Sequence, residues 1–331
     1  MEDGARSLIE DVVIVGCGRA GGLFDSPPSG ETWGHASAYL RNKRFRLVAC
    51  VDVDYKKAKE FSTKYNIPYF GTDLSSVLEN VSPTVASITS PDDTHFPIAM
   101  QFLNGSLPQP KVIFLEKPAC SSFVELETLI KFSKTANVPI IVNHCRRFDP
   151  LYIELKKRYK QGVFGNLLRV DCVYYGGWKH NAIHLVDIIE YLFSMEFREM
   201  SVIEKLPGRI QSDPTITVKS SIGPKSLPVW FHGWQEDAYQ IFDLEMRFSE
   251  GRLRITNFEE EIVWEKIVTN AIGERVLRRS DLCISRKESM VNDAAVEVIS
   301  KYFNTGDESV ISGFRLEDTR QSLEALWMVD T

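Results

Sequence analysis

The segment Val12-Val13-Ile14-Val15-Gly16-Cys17-Gly18-Arg19-Ala20-Gly21 runs from β-branched residues straight into a GxGxxG turn. Val and Ile favour a pleated strand. The glycines let the backbone turn sharply and approach a pyrophosphate, whose charge is met by amides at a helix start. A lone GxGxxG is a weak signal, but this one ends the first of a series of similar runs. The runs are 11–15, 46–52, 84–89, 111–116 and 139–143, each short and bounded by Gly, Pro or polar residues. Helical stretches lie between them near 55–65, 97–103 and 123–137. Strands alternating with helices imply a parallel sheet covered on both faces. A short strand near Tyr69 completes a six-stranded, doubly wound Rossmann sheet.

The second half reads differently. Long strands are expected at 167–175, 229–232, 239–248 and 252–258, with Ser249-Glu250-Gly251 as a hairpin turn between the last two. Helices are expected near 183–193 and 290–303. The fold class is therefore α/β: a dinucleotide-binding Rossmann domain over 1–148, then an α+β domain over 149–331 with a largely antiparallel open sheet. The second domain is expected to bind substrate and to oligomerise. Pro150 suits the first turn of a helix at the seam. The 331 residues are 44% hydrophobic and 25% charged, which excludes a disordered or collagen-like chain.

Net charge is −6, with Lys and Arg spread rather than blocked, which argues against nucleic acid and against an anionic membrane surface. No apolar run approaches the ~18–20 residues that span a bilayer. Residues 1–11 carry acids and no apolar core, so no signal peptide is expected there. No two of Cys17, Cys50, Cys120, Cys145, Cys172 and Cys283 form CxxC. They read as buried thiols in a reducing compartment, so the expected location is cytoplasmic.

An acid at the end of the second strand should bind the adenosine ribose. Asp52 fits, although it lies 31 residues past Gly21, against ~20 for the usual motif. The segment 23–34 holds Pro27, Pro28, Ser29 and Gly30, which cannot continue a helix. It reads as an excursion over the cofactor phosphates or the site mouth, with the helix proper starting near His35. A carboxylate at 52 repels a 2′-phosphate, and no Arg follows it, so NAD is favoured over NADP.

Three further segments stand at informative places: Thr89-Ser90-Pro91-Asp92-Asp93-Thr94-His95, Glu116-Lys117-Pro118, and Gly176-Gly177-Trp178-Lys179-His180-Asn181-Ala182-Ile183-His184-Leu185-Val186-Asp187. With the glycine turn, they resemble the Gfo/Idh/MocA oxidoreductases, which include glucose–fructose oxidoreductase and inositol dehydrogenase. Arg146-Arg147-Phe148-Asp149-Pro150 is similar to that family's domain junction. The resemblance implies that Gly16, Gly18, Arg19, Ala20, Gly21, Asp52, Ser90, Pro91, His95, Glu116 and Lys117 meet the cofactor. It implies substrate contacts from Lys117, Arg147, His180, His184 and Asp187. The Lys117–Pro118 bond is often cis in the family.

His180, His184 and Asp187 share one face if the segment is a regular helix. The family pattern is Asp-x-Gly-x-His-x-x-Asp, so His184 matches its catalytic histidine, while His180 and Ala182 replace its Asp and Gly. Lys117, His184 and His180 are thus the expected catalytic residues. His184 is the expected general base, and His180 an orienting or alternate base. A zinc site would need Glu after the first His, and Asn181 stands there, so no metal is expected. His35, His144 and His232 carry little signal. The resemblance implies NAD-dependent hydride transfer to or from a carbinol carbon of a sugar or nucleotide sugar, in a homodimer or homotetramer. The alternatives are a non-catalytic NAD-binding sensor or scaffold, and the NAD-dependent glycoside hydrolysis known in the same family.

Overall fold

A computed structural model describes residues 9–25, 33–206, 212–235, 237–282 and 292–329. The elements of the first half are β1 (Glu10–Val15), α1 (His35–Arg41), β2 (Phe45–Val51), α2 (Tyr55–Tyr65), β3 (Tyr69–Gly71), α3 (Leu74–Leu78), β4 (Val85–Ile88), α4 (Asp92–Leu103), β5 (Val112–Leu115), α5 (Phe123–Ala136), β6 (Ile140–Val142) and α6 (Cys145–Phe148). The second half holds α7 (Pro150–Lys160), β7 (Leu167–Tyr175), α8 (Ile183–Phe193), β8 (Phe197–Leu206), β9 (Thr215–Ile222), β10 (Leu227–Trp234), β11 (Asp243–Phe248), β12 (Gly251–Thr256), β13 (Glu261–Thr269), β14 (Arg275–Ser280), α9 (Asp293–Thr305) and α10 (Arg320–Trp327).

The chain divides into two units, parted between Phe148 and Asp149. The first contains a wholly parallel sheet in the order β3-β2-β1-β4-β5-β6. Its strands are buried on both faces, with Val12, Val13 and Ile14 at 0% exposure, which is why they read as unbroken apolar runs. Strand order reverses between β1 and β4, and ligands of such sheets bind outside the strand ends at that reversal. Helix α4 starts at Asp92, earlier than expected, and carries Pro97 inside it. Asp92 and Asp93 occupy its first turn, where the helix dipole favours acids.

The excursion is spliced into a helix. One turn follows the glycines, with Gly22 N–H donating to Gly18 O at 3.1 Å. The helix then resumes at α1, where His35 N–H donates to Ala20 O and Ala36 N–H to Gly21 O, both at 3.0 Å. Donor and acceptor are fifteen residues apart where a continuous helix has four, so eleven residues are looped out. That equals the excess in the Gly21–Asp52 spacing.

The neck of the loop is closed. A Cβ on Gly34 would stand 2.1 Å from Gly22 Cα. The buried Asp25 carboxylate accepts from Trp33 N–H at 2.9 Å, from Gly34 N–H at 3.0 Å and from the Ser37 hydroxyl at 2.6 Å. Tyr65 Oη donates to Gly22 O at 2.5 Å, and Lys64 Nζ reaches the carbonyls of Leu23 at 2.6 Å and of Asp25. Residues 26–32, with Pro27, Pro28, Ser29 and Gly30, lie outside the described residues, so the path of the excursion's tip is not described.

One expectation is corrected. The segment after 149 does not stay in the second unit, because residues 292–320 return to the first. The cause is α9, expected in the second domain at 290–303, of which 290 and 291 lie outside the described residues. Its apolar stripe, Ala295, Val296 and Ile299, is fully buried in the cluster that contains Val12, Ile14, Tyr39 and Phe45. Arg41 pairs with Asp293, and Arg44 reaches Asn304 and Phe303 O, which fixes the helix against the end of α1.

The second unit contains an eight-stranded sheet in the order β14-β13-β12-β11-β7-β10-β9-β8. All its pairings are antiparallel except β10 with β7. The hairpin turn at Ser249-Glu250 joins β11 to β12 as the sequence indicates. β8, β9, β13 and β14 were not anticipated, since β8 is exposed along most of its length and lacks an alternating pattern. One face of this sheet packs aromatic side chains, with Phe164 stacked on Phe248 at 5.2 Å and edge-on to Trp264 at 5.0 Å.

Replacing Gly34 by Ala sets a methyl against backbone that cannot swing aside. Gly34→Ala should destabilise the protein by about 1–3 kcal/mol, read as a lowered midpoint of urea unfolding.

Candidate functional site

The first group of site residues lies at the carboxyl ends of β1, β2, β4 and β5. Gly16 follows β1 with φ +102°, and a Cβ there would meet Ser90 N at 2.5 Å. Only glycine lets the ends of β1 and β4 come so close. A Cβ on Gly21 would meet Gly16 O at 2.5 Å, whereas one on Gly18 meets nothing within 4 Å. Gly18 therefore borders open space, and Arg19 beside it is exposed. Thr89 Oγ1 donates to Gly16 O at 2.6 Å, and Asp52 Oδ2 accepts from Cys17 N–H at 2.9 Å. The acid at the end of β2 thus braces the turn itself. A glycine turn with open space at its second glycine, next to a strand-end carboxylate, fits the pyrophosphate and adenosine ribose of a dinucleotide. Beneath the turn, contact with Cys50 and burial push the Cys17 thiol far above its ordinary range, so it stays protonated.

Glu116 and Lys117 follow β5, and the Lys117–Pro118 bond is cis. His35 stacks on Phe114 at 4.5 Å, with Nδ1 2.8 Å from Ser87 Oγ and Nε2 2.8 Å from Glu116 Oε1. Asn143 Nδ2 donates to the same Oε1 at 2.6 Å and to Asn292 Oδ1 at 2.8 Å. Burial pushes the Glu116 carboxyl up, but the His35 hydrogen bond and charge, then Lys117 and Asn143, hold it down at about 2. An ionised carboxylate only accepts, so Nε2 of His35 carries the hydrogen. His35 had little signal in the sequence, yet it is the partner of the expected cofactor residue Glu116.

Two residues expected at ligands are buried among backbone partners. His95 is fully buried, its Nδ1 2.8 Å from Pro118 O and its Nε2 2.9 Å from Ser90 O. It ties the loop after β4 to the loop after β5. Arg147 is 2% exposed and donates to Gly313 O and Asp318 O, both at 3.0 Å. Its guanidinium anchors the returning segment 292–320, which no spacing in the sequence announces. Ser90 is half-buried, with Thr94 Oγ1 donating to its Oγ at 2.7 Å, while Pro91 is exposed before α4.

The second group stands in the second unit. Residues Trp178–Ala182 form a π-helical turn ahead of α8, with Ala182 N–H donating to Gly177 O at 3.2 Å. The expected single α-helical face through His180, His184 and Asp187 is therefore interrupted by a wider turn. His180 is exposed, and His184 is half-buried with its ring edge-on to Phe242 at 6.4 Å. Asp187 is 1% exposed and accepts from the Ser322 hydroxyl at 2.9 Å. That hydrogen bond ties α8 to α10.

A residue missed in the sequence, Asp213, holds the π turn. Its carboxylate accepts from Lys179 N–H at 2.7 Å and from His180 N–H at 2.9 Å, and a Cβ on Gly177 (φ +93°) would meet it at 2.2 Å. Burial pushes the Asp213 carboxyl above its ordinary value. Gly177 was the available signal: a glycine fixed by a carboxylate from a loop 36 residues away.

The Glu116 carboxyl carries a pH signature. Its folded value of about 2 lies below the ordinary 4.5, so the stabilisation is fully present above pH 4.5 and is lost as pH falls towards 2. Glu116→Gln should lower stability at pH 7 by on the order of 3 kcal/mol. The gap to the unsubstituted protein should close by pH 2 when unfolding free energy is measured against pH.

Among the described residues no group of three or more His, Cys, Asp or Glu could hold a metal ion, and no helix is long and apolar enough to cross a membrane. Residues 11–144 match the model of the Gfo/Idh/MocA family, described as an oxidoreductase family with an NAD-binding Rossmann fold. The chain is 26% identical over 200 residues to scyllo-inositol 2-dehydrogenase (NAD(+)) of Bacillus subtilis, covering 54% of this chain and 55% of that one. It spans about half the length of such curated relatives. The WlbA dehydrogenase of Bordetella pertussis, solved with NADH and UDP-GlcNAcA, superposes with a TM-score of 0.74 at 15% identity, over 97% of this chain and 95% of that one. The transcriptional regulator Gal80p of Kluyveromyces lactis superposes with a TM-score of 0.72 at 15% identity, over 98% and 92%. At these identities the structural likeness is one of fold. Over residues 11–144, with the open glycine turn and the β5-end Glu-Lys-Pro, the chain is similar to the Gfo/Idh/MocA oxidoreductases with the NAD-binding Rossmann fold.

Proposed function

We propose that the protein is an NAD-dependent oxidoreductase that moves a hydride between nicotinamide and a carbinol carbon of a sugar or nucleotide sugar. The observation that carries the reading is the set of strand-end groups in the first unit: open space at Gly18, Asp52 ending β2, and Lys117 beside the ionised Glu116. Gly16, Gly18, Ala20, Gly21 and Arg19 would hold the pyrophosphate, Asp52 the adenosine ribose, and Ser90, Pro91, Glu116 and Lys117 the nicotinamide half. When bound, NAD supplies the hydride acceptor. The Lys117 ammonium polarises the substrate oxygen and stabilises developing alkoxide charge. His184 takes the hydroxyl proton, and His180, whose backbone Asp213 pins, orients the substrate or serves as alternate base. The second unit would bind the substrate and assemble the protein into a homodimer or homotetramer. The inositol dehydrogenase and the UDP-sugar-bound WlbA support the substrate class by analogy.

A second reading is a non-catalytic NAD-binding regulator. It is favoured by His180 and Ala182 standing where the family pattern has Asp and Gly, and by a fold shared with the regulator Gal80p.

Two measurements test the proposal, and the second separates the readings. The first concerns the cofactor: fluorescence titration should give tighter binding of NADH than of NADPH, with Asp52→Ser narrowing the difference. Gly18→Ala, which meets no protein atom, should keep its melting temperature and lose NADH affinity. Tighter binding of NADPH would overturn the cofactor choice. The second concerns chemistry: in a 340 nm screen of inositols, sugars and nucleotide sugars, His184→Ala should lose ~10²–10⁴-fold in turnover while binding NADH nearly as well. Absence of turnover on every substrate, with NADH affinity intact, favours the regulator.

A further inference from the structure

Buried carboxylates are costly to keep ionised unless hydrogen bonds and charge hold them. Glu116 is held in this way on one side only. Its Oε1 takes hydrogen bonds from His35 and Asn143, while Oε2 has no partner among the described residues, and the side chain is 16% exposed at the end of β5. The two groups that hold it, and the two that hold those in turn, come from four places in the chain. His35 is the first residue of α1 after the splice, Asn143 follows β6, Ser87 lies on β4, and Asn292 precedes α9.

Asn292 is the telling member. It stands at the cap position of α9, where an asparagine side chain ordinarily accepts from the first free amides of its own helix. It makes no such bond. Its Oδ1 accepts from Asn143, and its Nδ2 donates to Trp33 O at 2.7 Å, at the exit of the excursion. The returning segment thus gives up a cap to complete the Glu116 network.

We propose that His35, Asn143 and Asn292 are positioning residues, which aim the free oxygen of Glu116 at a hydroxyl or amide donor on the nicotinamide half of the dinucleotide. This rests on the cofactor reading above and adds residues that the family resemblance does not supply. The shell explains why the chain splices its helix so that a histidine falls at position 35, two residues after the carbonyl that Asn292 holds. Among the described residues the charged groups bearing on Glu116 are His35, from α1, and Lys117, from its own loop.

Two measurements on the full chain test the shell. In protein labelled with carboxyl 13C glutamate, the Glu116 resonance is the one absent from Glu116→Gln. Followed from pH 7 to pH 3, it should stay on the ionised plateau in the unsubstituted protein. His35→Gln, which replaces the imidazole by a neutral amide donor, should raise its midpoint by more than about one pH unit. Asn292→Ala, at the outer end of the shell, should raise it less. NADH titration should then show a roughly 10-fold loss of affinity in His35→Gln, the size of one hydrogen bond to a charged group, and less than about 2-fold when the same change is made in Glu116→Gln. An unmoved Glu116 midpoint, or equal losses in both backgrounds, overturns the shell. An unsubstituted protein that binds neither NADH nor NADPH overturns the cofactor reading and the ligand assigned to Glu116, while the carboxyl midpoint still decides whether His35 governs that group.

Discussion

Two backbone hydrogen bonds, from His35 to Ala20 and from Ala36 to Gly21, carry the organisation of the first unit. They let a helix begin at the glycine turn, leave for eleven residues and resume in register. Everything downstream depends on that register. It sets His35 beneath β5 and β6, and it gives the buried flank of α1, Ala36, Ala38 and Tyr39, to the sheet. It also lets α1 end where α9 can dock through Arg41 and Arg44. A helix shifted by one residue would rotate His35 by ~100° away from Glu116.

The strand ends place charge with similar economy. Gly16 brings β1 against β4, Asp52 braces the turn, and Glu116 stays ionised between His35 and Lys117. The fully buried His95 then couples the loop of Ser90 to the loop of Pro118. The two loops expected to flank nicotinamide are therefore one mechanical piece, since displacing either one breaks a buried hydrogen bond.

Much of this was legible in the sequence, for reasons that also show where legibility ends. Strands of a doubly covered parallel sheet announce themselves as apolar runs, so β1, β2, β4, β5 and β6 were found. Pro27 and Pro28 together with the long Gly21–Asp52 spacing gave away the excursion and the start of α1. Side-chain partnerships across the fold leave no such trace: His35 and Glu116 are 81 residues apart, and nothing local marks either as the other's partner. His95, Arg147 and Asp187 are expected at ligands because polar motif residues invite that reading, and their burial adds that they fasten backbone or helices. α9 was legible as an amphipathic helix but not in its destination, because a hydrophobic stripe states that a partner exists without saying which. The π turn escaped for a related reason, since its register depends on Asp213, a residue from another loop.

The contact between Gly22 and Gly34 has an evolutionary reading. A detour whose two ends already touch adds almost nothing to the strain of the helix it leaves, and the entropy of closing a loop grows only slowly with its length. The tip can therefore be lengthened, shortened or exchanged as a cassette while the glycine turn, His35 and the sheet stay as they are.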